Sequence, residues 1–284
     1  MESQGWAPVD GAELYYCSVG EGLPLIVIHG GPDFDHHYLR PDMDCLADRY
    51  RLIYYDQRGR GQSRGEVDLA TLDIWTYVED LDRLRKHLGL DRVAILGHSW
   101  GALVAMHYAI GHPAHLSHMV LLNPAPATHE DVVASREVRI KRREPYGKQI
   151  DALEAGFERG DPEAVAAFYA IEFGTGFKRP EDARRLDFGG TREQTLSGRA
   201  IEDRLMEGLI WSPGFTLVPE LAKVRTPTLV LHGDLDFFRV EGSERLARAI
   251  PDARLEVLKD SGHFSFIDAG EELRSALHPF LSSR

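Results

Sequence analysis

Residues 93–109 read Val-Ala-Ile-Leu-Gly-His-Ser-Trp-Gly-Ala-Leu-Val-Ala-Met-His-Tyr-Ala. The apolar run Val93 to Leu96 has the length and composition of a strand buried on both faces. Gly97-His98-Ser99-Trp100-Gly101 then fits G-x-S-x-G, and Ala102 to Ala109 is a helix-forming stretch. Strand, turn and helix in that order force the central serine into a strained conformation at the tip of the turn. The flanking glycines remove side chains that would collide where strand and helix pack closely. Ser99 Oγ is therefore expected to stand exposed above the strand, with the unpaired N–H groups and positive end of the following helix aimed at the same point.

Outward from this turn, short apolar runs recur at Leu25 to Ile28, Leu52 to Tyr55, Met119 to Leu122, Thr228 to Leu231 and Leu255 to Leu258. Helical patterns separate several of them, such as Ile74 to Leu88, which is apolar at Ile74, Tyr77, Val78, Leu81, Leu84 and Leu88. This alternation predicts an α/β fold with a mostly parallel central sheet flanked by helices. Residues 6–18 read as a hairpin turning at Asp10-Gly11. Between about Ala125 and Thr216 the strand-like runs stop and charged amphipathic segments such as Ala164 to Phe173 take over. A helical cap is expected there, dividing the chain into core residues 1–124, cap residues 125–216 and core residues 217–284. The basic run Arg136, Arg139, Lys141, Arg142 and Arg143 is expected on a solvated helix face, pairing with Glu137 and Glu144.

A serine hydroxyl is a weak nucleophile at neutral pH, so Ser99 needs a base and a group that orients the base. Strand Thr228 to Leu231 leads into His232-Gly233-Asp234-Leu235-Asp236, and strand Leu255 to Leu258 is followed by Ser261-Gly262-His263. Serine, carboxylate and histidine thus come in the order of α/β-sheet hydrolases. His263 is the expected base and Asp236 the favoured acid, with Asp234 bonding amides within the turn. After strand Leu25 to Ile28 comes His29-Gly30-Gly31-Pro32, whose adjacent glycines let a backbone amide face a reacting carbonyl. The Gly31 and Trp100 amides are the expected oxyanion hole. His29 and His98 read as structural neighbours of these loops.

The 284-residue chain carries 33 Lys and Arg against 45 Asp and Glu, a formal charge of −12. That balance gives no basis for binding nucleic acid or an anionic membrane. Cys17 and Cys45 form no metal-ligand or disulfide pattern. His112, His115 and His118 flank a proline, Pro113, and no H-E-x-x-H occurs, so no metal and no cofactor are expected. The N-terminal residues lack the basic and apolar regions of a signal peptide, which leads to the expectation of a cytoplasmic protein. No feature of the sequence specifies an oligomeric state.

Together, His29-Gly30-Gly31-Pro32, Asp56-Gln57-Arg58-Gly59-Arg60-Gly61-Gln62-Ser63, Gly97-His98-Ser99-Trp100-Gly101-Ala102, Gly233-Asp234-Leu235-Asp236 and Gly262-His263 resemble the proline iminopeptidase group of the α/β-hydrolases. The resemblance spans nearly the whole catalytic domain. It implies a serine aminopeptidase acting on a small-molecule or short-peptide substrate, with residues 56–63 forming a loop after the fourth strand in which Asp56 and Arg58 brace the site. The chain departs from that group at Asp33, where glycine is usual, and in the insertion, where no clear counterpart of the amine-binding glutamates appears. Asp33, Glu172, Glu202 and Glu207 are candidate partners for a substrate amine, whereas Phe237 and Phe238 make the side after Asp236 apolar. Hydrolysis of a small ester or amide is the leading expectation. A carboxylesterase, lactonase or perhydrolase would use the same triad, and a non-catalytic ligand-binding protein on this fold is the alternative of another class.

Overall fold

The computed structural model describes residues 2–186 and 190–282. Its sheet contains strands β1 (Glu2–Val9), β2 (Ala12–Val19), β3 (Leu23–Ile28), β4 (Tyr50–Tyr55), β5 (Arg64–Gly65), β6 (Val93–His98), β7 (Leu116–Leu122), β8 (Thr228–Gly233) and β9 (Ala253–Leu258). The spatial order is β1-β2-β4-β3-β6-β7-β8-β9, with the two-residue β5 pairing β2. Every pair from β4 to β9 is parallel, whereas β2 meets both β1 and β4 antiparallel. The hairpin turns at Asp10-Gly11 as expected, with Gly11 at φ 71°, but pairs from Glu2 to Val19 and so extends past both expected ends.

Side chains alternate between the two faces of the central strands. Ile26, Ile28, Ile95, Met119 and Leu121 join one buried cluster, and Leu25, Val27, Leu96, Val120 and Leu122 join the other. Each fully buried aliphatic side chain stabilises the fold by about 1.5–3 kcal/mol. Helices α1 (Ile74–His87) and α2 (Trp100–Gly111) cover the first face. Asp73 caps α1 by accepting the Thr76 N–H, and α2 is buried all round from Trp100 to Ala109. Strand β9 departs from the expectation of burial on both faces: it ends the sheet, and Arg254, Glu256 and Val257 lie exposed or half-exposed.

Between β7 and β8 the chain forms α3 (His129–Arg143), α4 (Gly147–Glu158), α5 (Pro162–Gly174) and α6 (Arg192–Gly208). This segment enters and leaves through an isolated bridge between Thr128 and Thr216, flanked by His129 N–H to Phe215 O at 2.8 Å and Leu217 N–H to Ala127 O at 2.9 Å. Helices α7 (Val218–Leu221), α8 (Val240–Ala249), α9 (Ser265–Asp268) and α10 (Gly270–Leu281) complete the core, α10 packing Leu273 and Leu277 on the second face. Among the described residues, no helix is long and apolar enough to cross a membrane.

Candidate active site

The carboxyl ends of β3, β6, β7 and β8 converge on a cavity of about 450 Å³ roofed by α3, α5 and α6. Ser99 sits between β6 and α2 at φ 54° and ψ −118°. A non-glycine residue there costs on the order of 1–3 kcal/mol, which the surrounding packing sustains. A Cβ on Gly97 would lie 2.3 Å from Gly101 O, and one on Gly101 would lie 2.3 Å from Ile28 O. Both glycines are therefore required for α2 to approach β3 and β6. Ser99 and His263 both line this cavity, and among the described residues Ser99 Oγ has no protein hydrogen-bond partner.

His263 Nδ1–H donates to Asp236, at 3.0 Å to Oδ1 and 3.1 Å to Oδ2. Asp236 also accepts from Asn123 Nδ2 at 2.8 Å and from the Phe238 N–H at 2.9 Å. Burial by itself would raise the Asp236 carboxyl, but the charge and hydrogen bond of His263 outweigh it and hold the group down at about 2. Asp234 is elsewhere in the turn, accepting the Ser261 N–H at 3.2 Å. Asn123 is a site residue that sequence reading did not single out. It follows β7 directly, at φ 44°, and also bonds Gly262 O and the Ser265 hydroxyl. A polar residue just past the carboxyl end of a central strand was the available signal.

Gly31 and Trp100 both line the cavity, and among the described residues neither backbone N–H donates to a protein acceptor. The neighbouring Gly30 N–H is instead given to Tyr38 Oη at 2.6 Å. The Tyr38 hydroxyl in turn donates to His98 Nδ1 at 2.7 Å, leaving His98 Nε2–H to donate to His263 O at 2.9 Å. Burial, reinforced by the charge of His263, pulls His98 down to about 3, so it is a neutral imidazole whose tautomer follows from these bonds. His29 is likewise buried and neutral, accepting the Gln57 N–H at 3.1 Å.

The loop 56–63 after β4 ties several elements together. Asp56 accepts from His36 at 2.6 Å and from the Gln62 N–H at 2.7 Å, Gln57 Oε1 accepts the Trp100 indole N–H at 3.0 Å, and Arg58 forms a buried ion pair with Asp80 of α1. Arg60 reaches the carbonyls of Asp33, at 2.5 Å, and Gln194 of α6, at 3.0 Å. Asp35, His36 and His37 bring three metal-ligand atoms within 4.8 Å of one another. Both His36 nitrogens are engaged, however, with Asp56 and with Cys17 Sγ. His112 bonds Glu79, His115 bonds Asp91 O and His118 packs on Phe280, so this sequence triplet does not converge.

Of the four candidate amine partners, Asp33 and Glu202 face the cavity without a cationic side chain in ion-pair contact among the described residues. Asp33 accepts the Tyr169 hydroxyl at 2.6 Å, and burial raises its carboxyl although that bond opposes the rise. Burial and the adjacent Asp33 push Glu202 up to about 8. Glu172 lines the cavity but is spent on Arg139, at 2.8 Å to Nε, and on Arg143, at 2.7 Å. Glu207 is exposed and outside the cavity. Phe237 and Phe238 stand against His263, with ring centroids at 4.2 and 5.1 Å.

The basic run of α3 departs from expectation. Arg139 and Arg143 hold Glu172 rather than Glu137 and Glu144, and Arg142 turns inward to the carbonyls of Thr175, Leu235 and Asp236. Because α3 lies over the site, part of its polar face meets a buried carboxylate and carbonyl groups. Arg136 and Lys141 do remain exposed.

The model of the alpha/beta hydrolase fold family matches residues 24–270. A proline iminopeptidase of Clostridioides difficile is 28% identical, the alignment covering 99% of this chain and 98% of the relative. The solved structure of a proline iminopeptidase-related protein from Thermus thermophilus superposes with a TM-score of 0.74 at 26% identity, covering 99% of this chain and 98% of that one. An esterase from Exiguobacterium antarcticum gives a TM-score of 0.72 at 24% identity, covering both chains completely.

Proposed function

We propose, from the premise that this chain belongs to the α/β-hydrolase family and is a hydrolase, that it cleaves small amides through an acyl-enzyme on Ser99. The observation that carries this reading is a His263 that is bonded to the buried Asp236 and lines the same cavity as a strained Ser99 and two residues with uncommitted N–H groups. In the proposed sequence Ser99 Oγ attacks the scissile carbonyl carbon as its proton passes to His263 Nε2. The carbonyl oxygen becomes an oxyanion that the Gly31 and Trp100 amides, free of other backbone acceptors among the described residues, stabilise in this reading. Collapse expels the leaving amine, which takes the proton from His263. Water, deprotonated by the same imidazole, then releases the acid and restores Ser99.

Asp33 and Glu202 support a free amine on the acyl side of the scissile bond. A Cβ built on Gly31 would lie 2.7 Å from Asp33 Oδ1, so this carboxylate adjoins the proposed oxyanion loop. An α-amino group, two bonds from the carbonyl carbon, falls within reach of that position. The relatives' names agree with an N-terminal amino-acyl substrate, and α3 to α6 serve in this reading as a cap over it. An esterase reading is favoured by one observation, the aromatic wall of Phe34, Phe173, Phe237, Phe238 and Phe264, which suits an uncharged acyl group. Both readings share Ser99. A fluorophosphonate should label Ser99 alone, and Ser99→Ala should abolish labelling and lower turnover by about 10³-fold or more while leaving the protein folded. Labelling at another serine, or near-normal turnover in the variant, would overturn the assignment.

A further inference from the structure

The carboxylate of Asp236 is held from within the core, but the backbone that carries it is held from the insertion. Arg142, on α3, donates from Nη1 to Leu235 O at 2.8 Å and to Thr175 O at 2.9 Å, and from Nη2 to Asp236 O at 2.9 Å. Leu235 and Asp236 belong to the loop after β8, whereas Thr175 ends α5. One planar guanidinium therefore joins two inserted helices to the acid's own peptide. Among the described residues no carboxylate lies within ion-pair distance of Arg142, so its hydrogen-bonding capacity goes to carbonyl oxygens.

The segment after Thr175 completes the connection. Gly176 O accepts the His263 N–H at 2.6 Å, and Asp268 Oδ2 accepts both the Lys178 N–H at 3.1 Å and the Gly262 N–H at 2.9 Å. The contact is close enough to demand glycine, since a Cβ on Gly262 would lie 1.8 Å from Gly176 O. Thr175 to Lys178 thus runs along the base loop while Arg142 grips the acid loop, and the Arg142 bond to Thr175 O connects the two.

We infer that Arg142 is a positioning residue through which the inserted helices hold Asp236 and His263 in register. The inference rests on the reading of those two residues as acid and base. Arg142 touches neither substrate nor reacting atoms in this scheme. It fixes the peptide from which the Asp236 side chain springs and, through Thr175, the segment that receives the His263 amide. Lysine is a poor substitute because a single ammonium lacks the planar fork that meets three separated carbonyls. Insertion and acid–base pair accordingly form one rigid unit, and any opening of the cavity must leave this seam intact or disable the pair.

Arg142→Ala and Arg142→Lys test this beside the wild type and Ser99→Ala. Loss of positioning should lower kcat by about 10²-fold in Arg142→Ala, as misplacement of roughly 1 Å can do. KM should stay within about threefold, Arg142→Lys should fall between, and added methylguanidinium should restore part of the lost kcat in Arg142→Ala alone. The low-field proton resonance of the Asp236–His263 hydrogen bond should broaden or disappear in Arg142→Ala and persist in Ser99→Ala. An unchanged resonance with wild-type kcat in either Arg142 variant would overturn the inference, as would a loss accounted for entirely by unfolded protein with no recovery on adding methylguanidinium. Retained activity in Ser99→Ala would instead refute the nucleophile, and the resonance would still decide the role of Arg142.

Discussion

The carboxylate behind His263 and the carboxylate pair on the cavity wall are built in opposite ways. Asp236 is surrounded by donors from His263, Asn123 and Phe238 and is held at about 2, so it is ionised across the physiological range. Asp33 and Glu202 adjoin each other with one tyrosine hydroxyl bonded to Asp33 and no cation in contact among the described residues, and Glu202 is pushed up to about 8. Burial opposes ionisation at both sites. What differs is whether the protein supplies the compensating charge and donors. At Asp236 it does, which fixes a permanent anion beside an imidazole. At Asp33 and Glu202 only the Tyr169 hydroxyl and arginines beyond ion-pair contact do so, and in the proposed reading a substrate amine brings the missing cation.

The largest effect expected from this contrast is at the satisfied site. Asp236→Asn should lower turnover by about 10⁴-fold, since an amide cannot hold the imidazole in the tautomer that accepts the serine proton. Asp234→Asn, whose carboxylate receives the Ser261 N–H in the turn and the ammonium of Lys259 at 3.8 Å, should change turnover far less. Steady-state kinetics of the two variants decide the matter, and a reversed order would assign the acid to Asp234.

A smaller effect, opposite in sign at the two sites, concerns stability against pH. Glu202 is raised from 4.5 to about 8, so its contribution is fully present below 4.5 and is lost as pH rises through about 8. Asp236 is lowered from 3.8 to about 2, so its contribution is present above 3.8 and is lost as pH falls through about 2. In thermal melts of the empty enzyme, Glu202→Gln should gain Tm relative to wild type by a few degrees as pH goes from about 5 to 9. The deficit of Asp236→Asn should narrow only in acid. A Glu202→Gln difference that stays flat with pH would mean that neither burial nor Asp33 raises the Glu202 carboxyl.

Ser99, His263 and Asp236 could be singled out in the sequence because each follows an apolar strand in a short loop, and such loops share one edge of a parallel sheet. The same logic makes Asn123 readable in retrospect, since it follows Leu122 without a break. Arg142 and Tyr38 were not legible. Their partners are backbone carbonyls, an amide and an imidazole brought close only by the fold, at separations of 94 residues between Arg142 and Asp236 and 60 between Tyr38 and His98. Residues 136–143 read as a solvated basic face because the pattern records charge and period but not which element covers the helix. The hairpin and β9 show a similar limit: period and turn residues located them, whereas their ends and exposure follow from position in the sheet.

The central claim, that Asp33 and Glu202 await a cationic amine beside Ser99, is tested most directly by the ratio of kcat/KM for proline β-naphthylamide to that for its N-acetyl derivative. Acetylation removes the charge and leaves a buried and a half-buried carboxyl unmatched, so the ratio should be about 10² or more. A ratio near one, or turnover confined to p-nitrophenyl esters, would contradict the account and leave the aromatic wall around Phe237 as the determinant of substrate.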